Sequence, residues 1–143
     1  MKNTILFLAM LLFINYTNAQ EQKESYYNYA KANITETGEI DKNGFPTGEW
    51  SYYLESGSLD YIINWETNFI KKYYTTGELK ETGTFIPETG VHIKEWITYY
   101  KNGQVKATEI YNENGDKNGE FKSYFENGTL KSAKIFKNGV KQE

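Results

Sequence analysis

The chain has 143 residues, room for one ordinary domain with a core of its own. It has no cysteine and a single histidine, His92, which excludes disulfide staples and thiolate chemistry and leaves any imidazole chemistry one ring to work with. All 16 basic residues are lysines, set against 19 acids for a net charge of −3, so no arginine fork is available for phosphate or guanine and nucleic acid is excluded as the expected partner. Against that polar background, with a mean hydropathy of −0.72, stand 13 Tyr, 8 Phe and 3 Trp.

Residues 1–19 differ from the rest. Lys2 supplies a positive start, Ile5 to Ile14 is nearly all apolar, and Tyr16-Thr17-Asn18-Ala19 ends on a small residue, the layout of a secretory signal peptide. The apolar run of about ten residues is too short for a spanning helix, which needs roughly 20, so an uncleaved anchor is the weaker reading. Cleavage after Ala19 removes Lys2 and leaves a soluble chain for a periplasm or the outside of the cell, with no stable membrane insertion. Residues 20–43, with Tyr26, Tyr27 and Tyr29 near their start, read as an N-terminal cap segment or a short helix.

From residue 44 to 143 the chain repeats. Gly57, Gly77, Gly103 and Gly128 share one setting: seven residues earlier stand Trp50, Ile70, Trp96 and Phe121, four earlier Tyr53, Tyr73, Tyr99 and Tyr124, three earlier Leu54, Tyr74, Tyr100 and Phe125. Two residues after come Leu59, Leu79, Val105 and Leu130, and eight after come Trp65, Phe85, Tyr111 and Phe136. A weaker copy around Gly38-Glu39-Ile40 echoes Gly77-Glu78-Leu79, and Asn138-Gly139-Val140 starts a truncated last unit. Asn102-Gly103 and Asn127-Gly128 are favoured central pairs of a two-residue type I′ turn, and their flanks are rich in residues that suit a pleated surface. Each unit is therefore expected to be a β-hairpin. Pro46 and Pro87 fall outside the expected strands. A lone hairpin is marginal in water, so successive units must pack edge to edge, giving an all-β, elongated antiparallel meander.

A two-residue turn sets the facing. It pairs Tyr100 with Val105, Thr98 with Ala107 and Trp96 with Glu109 on one face, and places Tyr99 opposite Lys106, Tyr73 opposite Lys80 and Tyr124 opposite Lys131 on the other. Tyr53 would face Asp60. The expected core is Trp50, Trp65, Phe85, Trp96, Tyr100, Tyr111, Phe121, Phe125 and Phe136. The expected outer face is a column of Tyr53, Tyr73, Tyr99 and Tyr124 interleaved with Lys80, Lys106 and Lys131. Such a column is a candidate binding surface, although each Tyr–Lys pair is also explained as ordinary cross-strand stabilisation.

Units such as Glu95-Trp96-Ile97-Thr98-Tyr99-Tyr100-Lys101-Asn102-Gly103-Gln104-Val105 and Gly119-Glu120-Phe121-Lys122-Ser123-Tyr124-Phe125-Glu126-Asn127-Gly128-Thr129-Leu130 resemble the MORN-variant repeat of proteins classed as YwqK-family antitoxins. The resemblance covers about residues 44–139 and implies a sheet of β-hairpins with a protein-binding or toxin-neutralising role. Its motif is structural, so no catalytic residue comes with it. The chain departs from the pattern at Ile70, where an aromatic is usual, and between Phe85 and Trp96, where no Asn-Gly turn stands.

Catalytic signals are weak. Asn114-x-Asp116-x-Asn118-Gly119 has the spacing of half a calcium loop, but its twelfth position is Phe125 where a bidentate Glu is needed; a polar double turn is the better account. His92 has no Ser or Asp at diagnostic spacing and reads as a solvated strand residue, leaving a hydrolase built on it as the weakest alternative. Paired carboxylates such as Glu36 and Glu39 read as surface residues. With no metal site and no cofactor expected, the sequence points to an exported, non-enzymatic repeat protein that binds another protein or an envelope polymer, with neutralisation of a toxin as the alternative.

Overall fold

The computed structural model describes residues 21–26 and 34–143. Residues 1–19, read above as a signal peptide, lie outside them, as do residues 27–33. Every regular element among the described residues is a strand: β1 (Glu21–Tyr26), β2 (Ile34–Ile40), β3 (Pro46–Tyr53), β4 (Leu59–Asn64), β5 (Phe69–Tyr73), β6 (Leu79–Ile86), β7 (Val91–Tyr99), β8 (Val105–Tyr111), β9 (Gly119–Tyr124), β10 (Leu130–Lys137) and β11 (Val140–Lys141). They form one open sheet in chain order, each strand antiparallel to the next. The expected meander is therefore present, and it begins earlier than residue 44. Two strands, and no helix, occupy the described part of residues 20–43, because β1 pairs with β2 from Glu21 opposite Ile40 to Tyr26 opposite Ile34. Pro46 stands at the first position of β3, where its missing N–H is tolerated, rather than outside the strands.

Most of the apolar core sits on one face of this single sheet. Across the strands runs a row in which Trp50 faces Ile63, Ile63 faces Ile70, Ile70 faces Gly83, Gly83 faces Trp96 and Trp96 faces Glu109. Trp50 and Trp96 are each only 2% exposed. A one-layer sheet buries so much indole by laying the rings flat on glycine. A Cβ on Gly38 would stand 2.4 Å from the Trp50 ring, and one on Gly83 would stand 2.2 Å from Trp96. Each indole N–H donates to the carbonyl one residue beyond its glycine, Trp50 to Glu39 at 2.8 Å and Trp96 to Thr84 at 2.7 Å. Gly38 is thus the counterpart of the strand glycine Gly83, and not of the turn glycine Gly77 that its sequence surroundings suggested. The same row accounts for Ile70: the space over its partner Gly83 is already filled by Trp96.

The turns differ from the expected type I′ pairs. Six loops share one closure, opened by Asp41, Leu54, Tyr74, Tyr100, Asn112 and Phe125. In each, the opening N–H donates to the carbonyl four residues on, and the glycine N–H three residues on donates back to the opening carbonyl. Only the glycine of each loop takes a positive φ, between 82° and 98°. These are three-residue loops, a type I turn followed by a left-handed glycine. Asn102 and Asn127 serve by another route, each accepting on Oδ1 the N–H two residues ahead, Gln104 and Thr129. The two-residue type I′ geometry occurs at Asn138-Gly139, with φ of 47° and 83°, joining β10 to β11. The connection from β6 to β7 without an Asn-Gly pair closes over Pro87–Gly90, the Gly90 N–H donating to Ile86 at 2.7 Å.

A three-residue loop shifts the strand register by one, which would turn the wrong side chains to the core. One extra residue restores it. Thr98 pairs with Ala107 and Trp96 with Glu109, as a two-residue turn predicts, but Tyr99 pairs with Val105, which leaves Lys106 as a bulge. The same slip leaves Asp60, Lys80 and Lys131 between paired neighbours. Without these bulges Lys106, Thr108 and Ile110 would share the face of Trp96 in place of Ala107, Glu109 and Tyr111.

Candidate functional site

The bulges decide where the lysines go. Tyr53, Tyr73, Tyr99 and Tyr124 face Leu59, Leu79, Val105 and Leu130, and not Asp60, Lys80, Lys106 and Lys131. Each lysine instead reaches the ring that opens the loop: Lys80 Nζ lies 5.9 Å from the Tyr74 centroid, Lys106 Nζ 5.7 Å from Tyr100, and Lys131 Nζ 5.6 Å from Phe125. Lys101 stands 5.4 Å from Tyr74 as well. The expected tyrosine and lysine column therefore does not exist in that register.

The loop-opening rings tie the units together. Tyr74 Oη donates to the Tyr99 carbonyl and Tyr100 Oη to the Tyr124 carbonyl, both at 2.8 Å, each reaching the following unit. Tyr100 is consequently half-buried as a rung between units rather than a core residue, and Phe125, which has no hydroxyl to form such a rung, is 49% exposed. The remaining expected core residues lie on the face of Trp96: Phe85 and Phe121 are buried, and Trp65, Tyr111 and Phe136 are half-buried. Sequence reasoning missed Ile63, Ile70 and Ile93, all buried. The repeat alignment gave weight to aromatic positions: Ile70 stands in the row of Trp50, Trp96 and Phe121 and was not counted as core, while Ile63 announces itself only through the sheet register.

On the core face, between β4 and β7, lies a groove of about 310 Å³ lined by Tyr61, Ile70, Lys72, Phe85, His92 and Trp96 among others. Tyr61 stacks on Tyr52 with centroids 4.5 Å apart, giving the groove one aromatic wall. The floor is Ile63, Ile70, Phe85 and Trp96, one packed cluster. Lys72 crosses the middle, its Nζ 5.4 Å from the Trp96 centroid and 2.9 Å from Glu81 Oε2. His92 is half-buried rather than a freely solvated strand residue: it stacks on Trp96 at 3.3 Å with an interplanar angle of 9°, and meets Tyr111 edge-on at 5.8 Å. Burial holds the His92 imidazole below its usual pKa, with the Lys72 charge acting the same way and Glu81 and Glu109 opposing. Burial also raises the Tyr111 phenol, and its hydrogen bond to Glu109 Oε2 at 2.9 Å adds to the effect. The groove thus presents an apolar floor, ring edges and one lysine–glutamate pair, with a neutral imidazole at neutral pH.

The segment with calcium-loop spacing is the fifth of the six shared turns. Asn112 Oδ1 accepts the N–H groups of Asn114 and Asp116, Asn112 Nδ2 donates to Asp116 Oδ2 at 3.2 Å, and Asn118 Oδ1 accepts from the Asn138 N–H at 3.1 Å. Asp116 and Asn118 are spent on the turn and on tying it to the last hairpin. Among the described residues no group of three or more His, Asp or Glu is arranged to hold a metal ion, and no helix is long and apolar enough to cross a membrane.

A family model described as the MORN repeat variant matches residues 46–66, 94–113 and 117–138. These are the hairpins of Trp50, Trp96 and Phe121; the unit of Ile70 and Gly77 lies outside the matches, although its hairpin is equally formed. No curated protein matches the chain.

Proposed function

We propose that this chain is a non-enzymatic binding module that holds part of a partner protein in the groove between β4 and β7. The observation that carries the reading is that groove: a one-layer sheet leaves Tyr61 and His92 at the rim of an apolar floor and Lys72 across its middle, which suits an apolar side chain flanked by polar or charged neighbours. The repeats support a binding role, because each unit bears structural residues and none brings a nucleophile with its base. The signal-like pattern of residues 1–19 supports export, and with it a partner in the envelope or outside the cell. A toxin neutralised by direct binding is one protein that fits.

The test is capture of the partner from the compartment in which the protein is found, using wild type, Tyr61→Ser with His92→Ala, and Tyr73→Ser with Tyr99→Ser and Tyr124→Ser. The reading expects the first variant to lose capture while its β-sheet circular dichroism persists. Capture unchanged in that variant but lost in the second would place the partner on the opposite face and reject the groove.

A further inference from the structure

The two ends of the sheet carry opposite charge. Strands β1 and β2 contain Glu21, Glu24, Glu36 and Glu39 against Lys23, a net of −3. Strands β9, β10 and β11 contain Lys122, Lys131, Lys134, Lys137 and Lys141 against Glu120, a net of +4. At about 4.8 Å between strands, these ends lie about 48 Å apart along the sheet, several screening lengths in physiological salt, so one molecule cannot neutralise itself.

The basic end also has an open edge among the described residues. β11 covers only Phe136 and Lys137 of β10, and Gln142 N–H donates to the Ile135 carbonyl, so the outer edge from Leu130 to Lys134 has no neighbouring strand among the described residues. Of the six exposed large apolar residues among the described ones, Phe125, Leu130, Ile135 and Val140 lie in this last unit, at 49 to 66% exposure. Earlier units cover the corresponding region with the next hairpin, as Tyr74 and Tyr100 show by bonding forward to it.

We propose that the free edge of β10 takes β1 of a second copy of this chain, joining molecules head to tail into one continued sheet. Lysines on an edge strand repel a second edge of the same kind, which disfavours a symmetric β10 to β10 dimer; against the glutamates of β1 the same lysines attract. The contact is heterologous, so it propagates rather than closing at two copies. It uses the sheet ends and is separate from the groove between β4 and β7.

Sedimentation velocity of the purified full-length chain at low salt tests it, with Lys131→Glu/Lys134→Glu as one variant and Glu21→Lys/Glu24→Lys as the other, both checked for native circular dichroism. Wild type is expected to sediment faster as concentration rises, and to lose at least about tenfold in association constant at 0.5 M salt. On the contacting strands β1 and β10 each variant alone carries charges of like sign, −1 and −1 in the first and +3 and +3 in the second, and is expected to stay monomeric, while an equimolar mixture associates again. A wild-type chain that is monomeric at every concentration, a variant that associates as wild type does, or a mixture that stays monomeric would overturn the proposal.

Discussion

The Trp96 indole lies flat on Gly83, at a distance that a single added methyl group would cut to 2.2 Å. Trp50 on Gly38 repeats the relationship in another hairpin, down to the indole hydrogen bond with the next carbonyl. The pair replaces the second layer that a sheet normally needs, because ring and backbone bury each other.

Gly83→Ala is therefore expected to destabilise by about 2–3 kcal/mol through overpacking, and Trp96→Ala by about 3–5 kcal/mol through loss of the buried ring. The double variant should cost clearly less than the two together, since without the indole the methyl has room. Urea denaturation of the four proteins measures the coupling; strict additivity would show that the ring does not rest on the glycine.

Loop geometry makes a contrast within one residue type. At Gly103 φ is 82°, so Gly103→Ala is expected to cost about 1–2 kcal/mol, while Asn102→Asp keeps the acceptor for the Gln104 N–H, loses the donor to the Glu126 carbonyl at 3.0 Å, and should cost about 0.5–1 kcal/mol. At Asn138 φ is 47°, so Asn138→Ala should loosen the β10–β11 hairpin. Amide hydrogen exchange at Val140 reads the second effect and thermal melting the first.

The rungs between units can be removed or added. Tyr100→Phe deletes the donor to the Tyr124 carbonyl and is expected to cost about 1 kcal/mol. Leu54 opens its loop where Tyr74 and Tyr100 open theirs, so Leu54→Tyr should supply a missing rung and raise stability by about 0.5–1.5 kcal/mol. A melting temperature that moves the same way in both variants would contradict the assignment.

Acid should weaken the fold through His92. Its folded pKa lies below the unfolded value near 6.5, so the unfolded chain binds the proton more readily. The neutral, stacked imidazole contributes its full stability above that unfolded value, and the contribution is lost as pH falls from about 6.5 through the folded pKa. Stability measured between pH 7.5 and 5 should decline in wild type and decline less in His92→Phe, which keeps a ring on Trp96 and has no proton to bind.

How far this was legible in the sequence depends on the range of the interaction responsible. The recurrence around Gly57, Gly77, Gly103 and Gly128 determines that there are hairpins, where they turn and which strands are neighbours, because turn chemistry and alternation are local. The inner pairs Thr98–Ala107 and Trp96–Glu109 followed from the same count. What it could not determine was the compensation between a three-residue loop and a bulge, since the two shifts cancel in the spacing of the apolar residues and show at the bulged residues Asp60, Lys80, Lys106 and Lys131. Those are the residues on which the outer column depended. Nor does spacing reveal that Gly38 and Gly83 are floors for rings arriving from a neighbouring strand, or that His92 stacks on Trp96. Such contacts are set by register across strands, and only the assembled sheet brings those side chains to one place.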